Sequence, residues 1–305
     1  MRACNSEKDI VDIGIILLFD GQDGNQLQDC ATAAKDLEDR GFSSLWLPDH
    51  VVLFERYDAE YPFSSDGQPP FVRRQGWYDP LFGLMAAAST TSRIRLGTNI
   101  LILTERNPIL LAKEVVAVDH FSNGRVDLGL GIGWSRQEFA ALGIPFERRG
   151  QRADEYIEAM TRLWTDELAT YEGEFVSFRD AVALPKPIQR PRPPIILGGQ
   201  SRRALRRVAG CADGWINMQL PIDEMPLVMK QLDAECEAVG RDPASLRRIH
   251  SFIYSTADTY KRYLDVAESG GVNELSIAPW VPDRHPQEVI DEIAELGGVS
   301  PGGRR

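Results

Sequence analysis

The stretch from Arg93 to Gly143, RIRLGTNILILTERNPILLAKEVVAVDHFSNGRVDLGLGIGWSRQEFAALG, reads as strand, loop, helix, tight turn, strand and loop. IRLGTNILIL and VDLGLGIG are near-continuous apolar runs, the pattern of parallel strands buried on both faces. Asn107 is placed to cap a helix whose first residue is Pro108, where the missing N–H costs nothing. Leu111, Val115, Val118 and Phe121 keep the 3.6-residue period and are expected on the buried face, and Asn123-Gly124 ends the helix. The unit is βαβ, with polar and glycine-rich residues at the strand ends, where α/β enzymes keep their chemistry.

Working outward, six further strands are expected at 10–19, 43–48, 194–199, 214–218, 248–255 and 274–280. The first leads into a helix with Leu27, Cys30, Ala34 and Leu37 at helical spacing, closed by Gly41. Asp79-Pro80 starts a helix carrying Leu81, Leu84, Met85 and Ala88. A charged helix runs over about 148–166 with Tyr156, Met160 and Leu163 on its buried face. Residues 170–187 read as a strand pair turning near Glu172-Gly173, an insertion between barrel strands four and five. A last helix carries Val289, Ile293 and Leu296 and stops at Gly297-Gly298. Alternating strands and helices also suit an open doubly wound sheet. Eight units without a dinucleotide fingerprint favour a closed (β/α)8 TIM barrel, one domain over 1–305 with a flexible tail at about 299–305.

Composition agrees. A hydrophobic share of 43% supplies a large core, and no apolar run approaches the roughly 20 residues that span a bilayer. The start, MRACNSEKDI, lacks the apolar region of a secretory signal. Cys4, Cys30, Cys211 and Cys236 are scattered, form no metal-ligand cluster and suit a reducing cytoplasm. A formal charge of −11 argues against nucleic acid or an anionic membrane as partner.

Four strand ends carry candidate chemistry. Asp49-His50 follows strand two; a lone His is often structural, but at a barrel mouth it is a candidate proton donor or acceptor near neutrality. Asp49 is read as orienting the ring, binding a ligand or capping a turn. Strand three ends in Gly97-Thr98-Asn99, where a glycine admits a flat ligand or serves a bulge. Strand four ends in Gly129-Leu130-Gly131-Ile132-Gly133-Trp134, which is GxGxG rather than GxGxxG, with no helix expected directly after it. Its alternate glycines suggest a bare floor for a planar ring, walled by Trp134. Gly198-Gly199-Gln200-Ser201 after strand five presents backbone N–H groups at a helix start, an anion cradle. Arg202, Arg203, Arg206 and Arg207 follow, suiting a phosphorylated cofactor or a solvated face.

With these residues in hand the chain resembles the bacterial luciferase-like flavin and deazaflavin oxidoreductases, closest to the F420-dependent group. LWLPDHVV (45–52), YPFSSDGQPP (61–70), the opening stretch through GQR (152) and PIILGGQSRRALRRVAGCADGW (194–215) carry the likeness, which spans about 13–296. The resemblance implies a cytoplasmic TIM barrel, commonly a dimer, with coenzyme F420 or FMN at the strand carboxyl ends. His50 would serve near the reacting carbon beside Asp49, and a non-prolyl cis peptide at Asn99-Ile100, next to Thr98, would back the ring. Gly131, Gly133 and Trp134 would border the ring, and Gly198, Gly199, Gln200 and Ser201 would hold the phosphate side. Sugar-phosphate dehydrogenases of the family place an acid directly after the third glycine, where this chain has Trp134. That favours an apolar or unsaturated substrate, with Phe54, Tyr57, Tyr61, Phe63, Phe71, Trp77 and Tyr78 as an aromatic lid. The expected function is hydride transfer with F420, using Arg73 and Arg74 for an anionic tail. The alternatives are a monooxygenase taking reduced FMN from a separate reductase and a non-catalytic flavin-binding barrel.

Overall fold

The computed structural model describes residues 11–17, 26–57, 61–62, 67–69 and 77–302, with backbone alone at 26–28. In chain order the strands are β1 (Asp12–Ile16), β2 (Ser44–Leu47), β3 (Arg95–Thr98), β4 (Leu101–Ile102), β5 (Val126–Gly131), β6 (Ala169–Glu172), β7 (Ser177–Ala181), β8 (Ile195–Gly198), β9 (Gly214–Met218), β10 (Arg247–Ile253) and β11 (Glu274–Ala278). All but β6 and β7 pair in parallel in the order β3-β2-β1-β11-β10-β9-β8-β5-β4, and β3 also pairs with β5. Counting β3 and β4 as one interrupted strand, the ring is the expected closed eight-stranded barrel. The antiparallel β6–β7 hairpin is the expected insertion between β5 and β8.

The helices are α1 (Gln26–Arg40), α2 (Pro80–Ala88), α3 (Pro108–Phe121), α4 (Arg136–Ala141), α5 (Arg149–Thr165), α6 (Arg202–Cys211), α7 (Met225–Ala238), α8 (Ala257–Gly270) and α9 (Pro286–Gly297). Their starts are set chemically. Asp79 Oδ1 accepts from Leu81 N, and Asn107 Oδ1 accepts from Ile109 N and Leu110 N, each before a proline. Cys30, Ala34, Leu37, Leu111, Val115 and Val118 are buried against the strands as their spacing predicted. The side chain of Leu27, strand positions 10, 18 and 19, and the tail at 303–305 lie outside the described residues.

Four expectations need correction. Phe121 is 53% exposed, because it lies off the buried face of α3, whose last turn packs inward through Val118 and Asp119; Ala112 and Val116 are buried instead. A helix does follow the strand-four glycines: Ser135 Oγ accepts from Glu138 N and starts α4. The third strand is not one run but breaks at the cis Asn99–Ile100 peptide, the bulge that the family resemblance implied. Gly97 makes room for protein rather than ligand, since a Cβ there would enter the Trp46 ring.

Ile16, Trp46, Ile196, Ile216, Ile249 and Ala278, one from each of six strands, pack together as the inner core. Beneath them, at the amino ends of the strands, lies a buried polar floor. Trp46 Nε1 donates to Ser44 Oγ at 2.6 Å and to Glu274 Oε1 at 2.7 Å. Arg247 bridges Asp127 and Glu274, and Arg95 Nε donates to Asp127 Oδ2 at 2.7 Å. Burial penalises the Asp127 charge, yet Arg247 and Arg95 hold its carboxyl below the ordinary value. The amino end of the barrel is therefore filled by side chains bonded to one another.

Candidate active site

A cavity of about 480 Å³ opens at the carboxyl ends of the strands, bounded by Ile16, Ile102, Leu130, Leu197, Met218 and Ala278 below. Eleven of the sequence-predicted residues line it: Asp49, His50, Asn99, Ile100, Gly131, Gly133, Trp134, Gly198, Gly199, Gln200 and Ser201. Thr98 does not. It is fully buried and its hydroxyl donates to Gly129 O at 2.7 Å, which ties β3 to β5 instead of meeting a ligand.

The glycines act differently from a bare floor. A Cβ on Gly129 would run into the Thr98 carbonyl, and one on Gly198 into the Ile100 side chain. At Gly131 it would stand 3.2 Å from Ile100 Cγ2. The strands' glycines thus seat Ile100, so the cavity floor on this side is the Ile100 side chain. Gly133, at φ +75, turns the chain into Ser135 and α4 over the ring of Phe139.

His50 also lines the cavity. Its Nδ1 lies 2.7 Å from Glu138 Oε2, with the two side chains 8% and 1% exposed. Glu138 Oε1 also accepts from Val51 N at 2.7 Å and Val52 N at 3.2 Å. The ring sits 5.0 Å from Trp77 and 6.0 Å, edge-on, from Trp134. Asp49 does not orient the imidazole as one sequence reading allowed. Its oxygens accept from Arg106 and from Ile102 N, and Arg106 also pairs with Asp79. Burial raises the Asp49 carboxyl above its ordinary value despite Arg106.

The aromatic segment covers this wall in part. Tyr61 and Trp77 line the cavity, and Trp134 packs against Tyr57 and Tyr61 at 4.9 and 5.1 Å. Phe54 meets Tyr57 edge-on, whereas Tyr78 is exposed. Phe63, Phe71, Arg73 and Arg74 lie outside the described residues.

At the far end, Ser201 caps α6 through Ala204 N, and Arg149 and Arg207 reach the cavity wall. The four arginines expected to work together separate here. Arg202 and Arg206 pair with Glu235 away from the cavity, Arg203 is exposed, and Arg207 alone turns inward, held by Asp154 and Gly150 O. Arg149 donates to Gly133 O at 3.0 Å; burial lowers its pKa, and Arg136 adds to this.

Sequence reasoning missed Glu138, Glu105, Arg106 and Arg149. Glu105 is 7% exposed, and neither carboxylate oxygen has a hydrogen-bond partner among the described residues. Burial, then the nearby charges of Glu138 and Asp49, push it up to about 9, so it carries a proton at neutral pH. For Glu138 a signal existed: Ser135-x-x-Glu138 is a capping-box pattern, although its carboxylate reaches His50 rather than Ser135.

Residues 11–302 match the family described as luciferase-like monooxygenase, and the chain belongs to it. It is 39% identical over 270 residues to an uncharacterized protein of Mycobacterium tuberculosis (strain ATCC 25618 / H37Rv), covering 87% of this chain and 92% of the relative. It is 35% identical over 179 residues, 56% of this chain and 52% of the other, to the F420-dependent glucose-6-phosphate dehydrogenase of Intrasporangium calvum. It is 38% identical over 137 residues, 44% of this chain and 38% of the other, to the FMNH(2)-dependent dimethylsulfone monooxygenase of Pseudomonas putida. The crystal structure of monooxygenase RslO1 from Streptomyces bottropensis shares the fold at TM-score 0.78 and 19% identity, over 95% of this chain and 98% of that one. Relatives of this luciferase-like oxidoreductase therefore include both F420-dependent and FMNH2-dependent enzymes.

Proposed function

We propose that the protein is a coenzyme F420-dependent oxidoreductase acting on a small, apolar or unsaturated organic substrate. The observation that supports this most is His50 on the wall of an aromatic, largely apolar cavity that Ile100 also lines. When bound, the deazaflavin supplies hydride chemistry. The cavity fits such a group: a narrow apolar body, with backbone N–H groups, Ser201, Arg207 and Arg149 gathered at one end for an anionic chain. Asn99, Ile100, Gly131 and Gly133 would border the ring, with Gly198, Gly199 and Gln200 leading to its phosphate.

His50 would move the companion proton at Nε2. Tyr61, Trp77 and Trp134 would exclude water and stack on the substrate. Trp134 stands where the sugar-phosphate enzymes have an acid, which argues against a sugar phosphate. We also infer one domain over 1–305 and a cytoplasmic homodimer, with exposed Phe82 and Leu110 on neighbouring α2 and α3 offering an apolar face.

Titrating the protein separately with coenzyme F420 and FMN, followed by tryptophan fluorescence, tests the reading. Tight F420 binding with weak FMN binding is expected. The similarity to the Pseudomonas putida enzyme supports a second reading, a monooxygenase fed reduced FMN by a partner reductase. Tight FMN binding with oxygen uptake would select it, and binding of neither would leave a non-catalytic barrel.

A further inference from the structure

Glu138 is placed unlike an ordinary helix-start acid. It lies on the first turn of α4, yet its carboxylate turns to the far side of the cavity mouth and meets three consecutive residues after β2. An ionised carboxylate only accepts hydrogen bonds, so the His50 nitrogen facing Oε2, Nδ1, must carry a proton. Nε2 is then the ring nitrogen turned away from Glu138. The other oxygen gathers the backbone N–H groups of Val51 and Val52, where the aromatic segment begins. The neighbouring residue, Gln137, donates to Arg56 O at 3.0 Å, so α4 grips this segment at two points.

The charged groups around the pair are Asp49 on the β2 loop, Glu105 and Arg106 after β4, and Asp79 before α2. Arg106 is committed to Asp49 and Asp79 and is not bonded to Glu138. The described partners of the Glu138 carboxylate are thus the ring it orients and the two amides it pins.

We propose that Glu138 is the positioning residue of this site: one carboxylate sets the His50 tautomer and fastens the start of the covering segment, so proton donor and cover are aligned together. This rests on the reading of His50 given above, but its first test does not need a cofactor. Full-length protein with 15N-labelled histidine, wild type and Glu138→Ala, is compared without added cofactor. His50 is assigned with His50→Asn. In the wild type, neutral His50 is expected to hold its proton on Nδ1. In Glu138→Ala that preference should be lost, and the Val51 and Val52 amides should exchange roughly tenfold faster or more, as expected when a hydrogen bond to a charged group is removed.

Glu138→Gln keeps one acceptor oxygen without the charge. It should restore protection of Val51 and Val52 while its NH2, now facing Nδ1, donates and drives His50 toward the Nε2–H tautomer, and this separates positioning from simple misfolding. If His50 keeps the Nδ1–H tautomer in Glu138→Ala, or the two amides exchange at wild-type rates there, the proposal is overturned. Titrating the same variants with coenzyme F420 and FMN distinguishes the two claims. Failure of both ligands to bind even wild type would sink the functional reading and leave the tautomer result standing. With F420 bound, turnover of Glu138→Ala should fall about tenfold to hundredfold with little change in cofactor affinity.

Discussion

The two ends of the barrel are built on opposite rules. At the amino ends of the strands, Arg95, Arg247, Asp127, Glu274, Ser44 and Trp46 bond one another into a buried mesh. At the carboxyl ends, buried polar atoms go unmatched: both Glu105 oxygens, the Arg106 Nε and the Trp134 Nε1 have no hydrogen-bond partner among the described residues. Buried groups are ordinarily satisfied, so unmatched ones mark where stability has been given up. The lower end holds the ring together, and the upper end holds the cavity.

The difference can be broken from either side. The largest effect belongs to the floor. Arg247→Met would leave the fully buried Asp127 with Arg95 alone and take from Glu274 its described cationic partner, and the loss of stability, read from urea unfolding, should be about 3–5 kcal/mol. Ligand affinity of the folded fraction should stay near wild type. Next comes His50→Ala, with turnover lowered about a hundredfold or more and thermal stability moved by only a degree or two. A melting point as low as that of Arg247→Met would erase the distinction between the ends.

A sharper contrast comes from Glu105. Folded, it keeps its proton until about pH 9, whereas in the unfolded chain it ionises near the ordinary value of 4.5. The unfolded state therefore binds fewer protons between those values, and stability falls as pH rises from about 4.5 to about 9. Glu105→Gln should remove that slope and stabilise the protein at pH 8 by at least about 1 kcal/mol, the reverse of a floor substitution. Unfolding midpoints of both proteins from pH 5 to 9 decide it; parallel curves would mean that Glu105 is already ionised. The smallest effect is Ser201→Ala, which removes the α6 cap for about 1 kcal/mol and should weaken F420 binding severalfold by calorimetry.

The lower end and the helices were legible because they follow period and local chemistry. Apolar runs gave the strands, and Asp79-Pro80 and Asn107-Pro108 gave two helix starts to the residue. The mouth was legible by position: eleven residues chosen at strand ends meet at one cavity. What stayed hidden depends on contacts far apart in the chain. His50 and Glu138 are 88 residues apart, and Gly97 serves Trp46 across a strand rather than any ligand. Thr98 sits one place from the cavity but faces the other side of its strand, as alternation requires. Nothing local distinguishes Glu105 from a solvated acid; only the fold around it does.

Trp46, wedged into the space that Gly97 leaves and tied to Glu274, acts as a bung in a vessel. A vessel stopped at the bottom is filled and emptied through one neck. A ligand lying nearest Ile100 would have to arrive first and depart last, so the order of traffic would be set by a tryptophan that does not line the cavity.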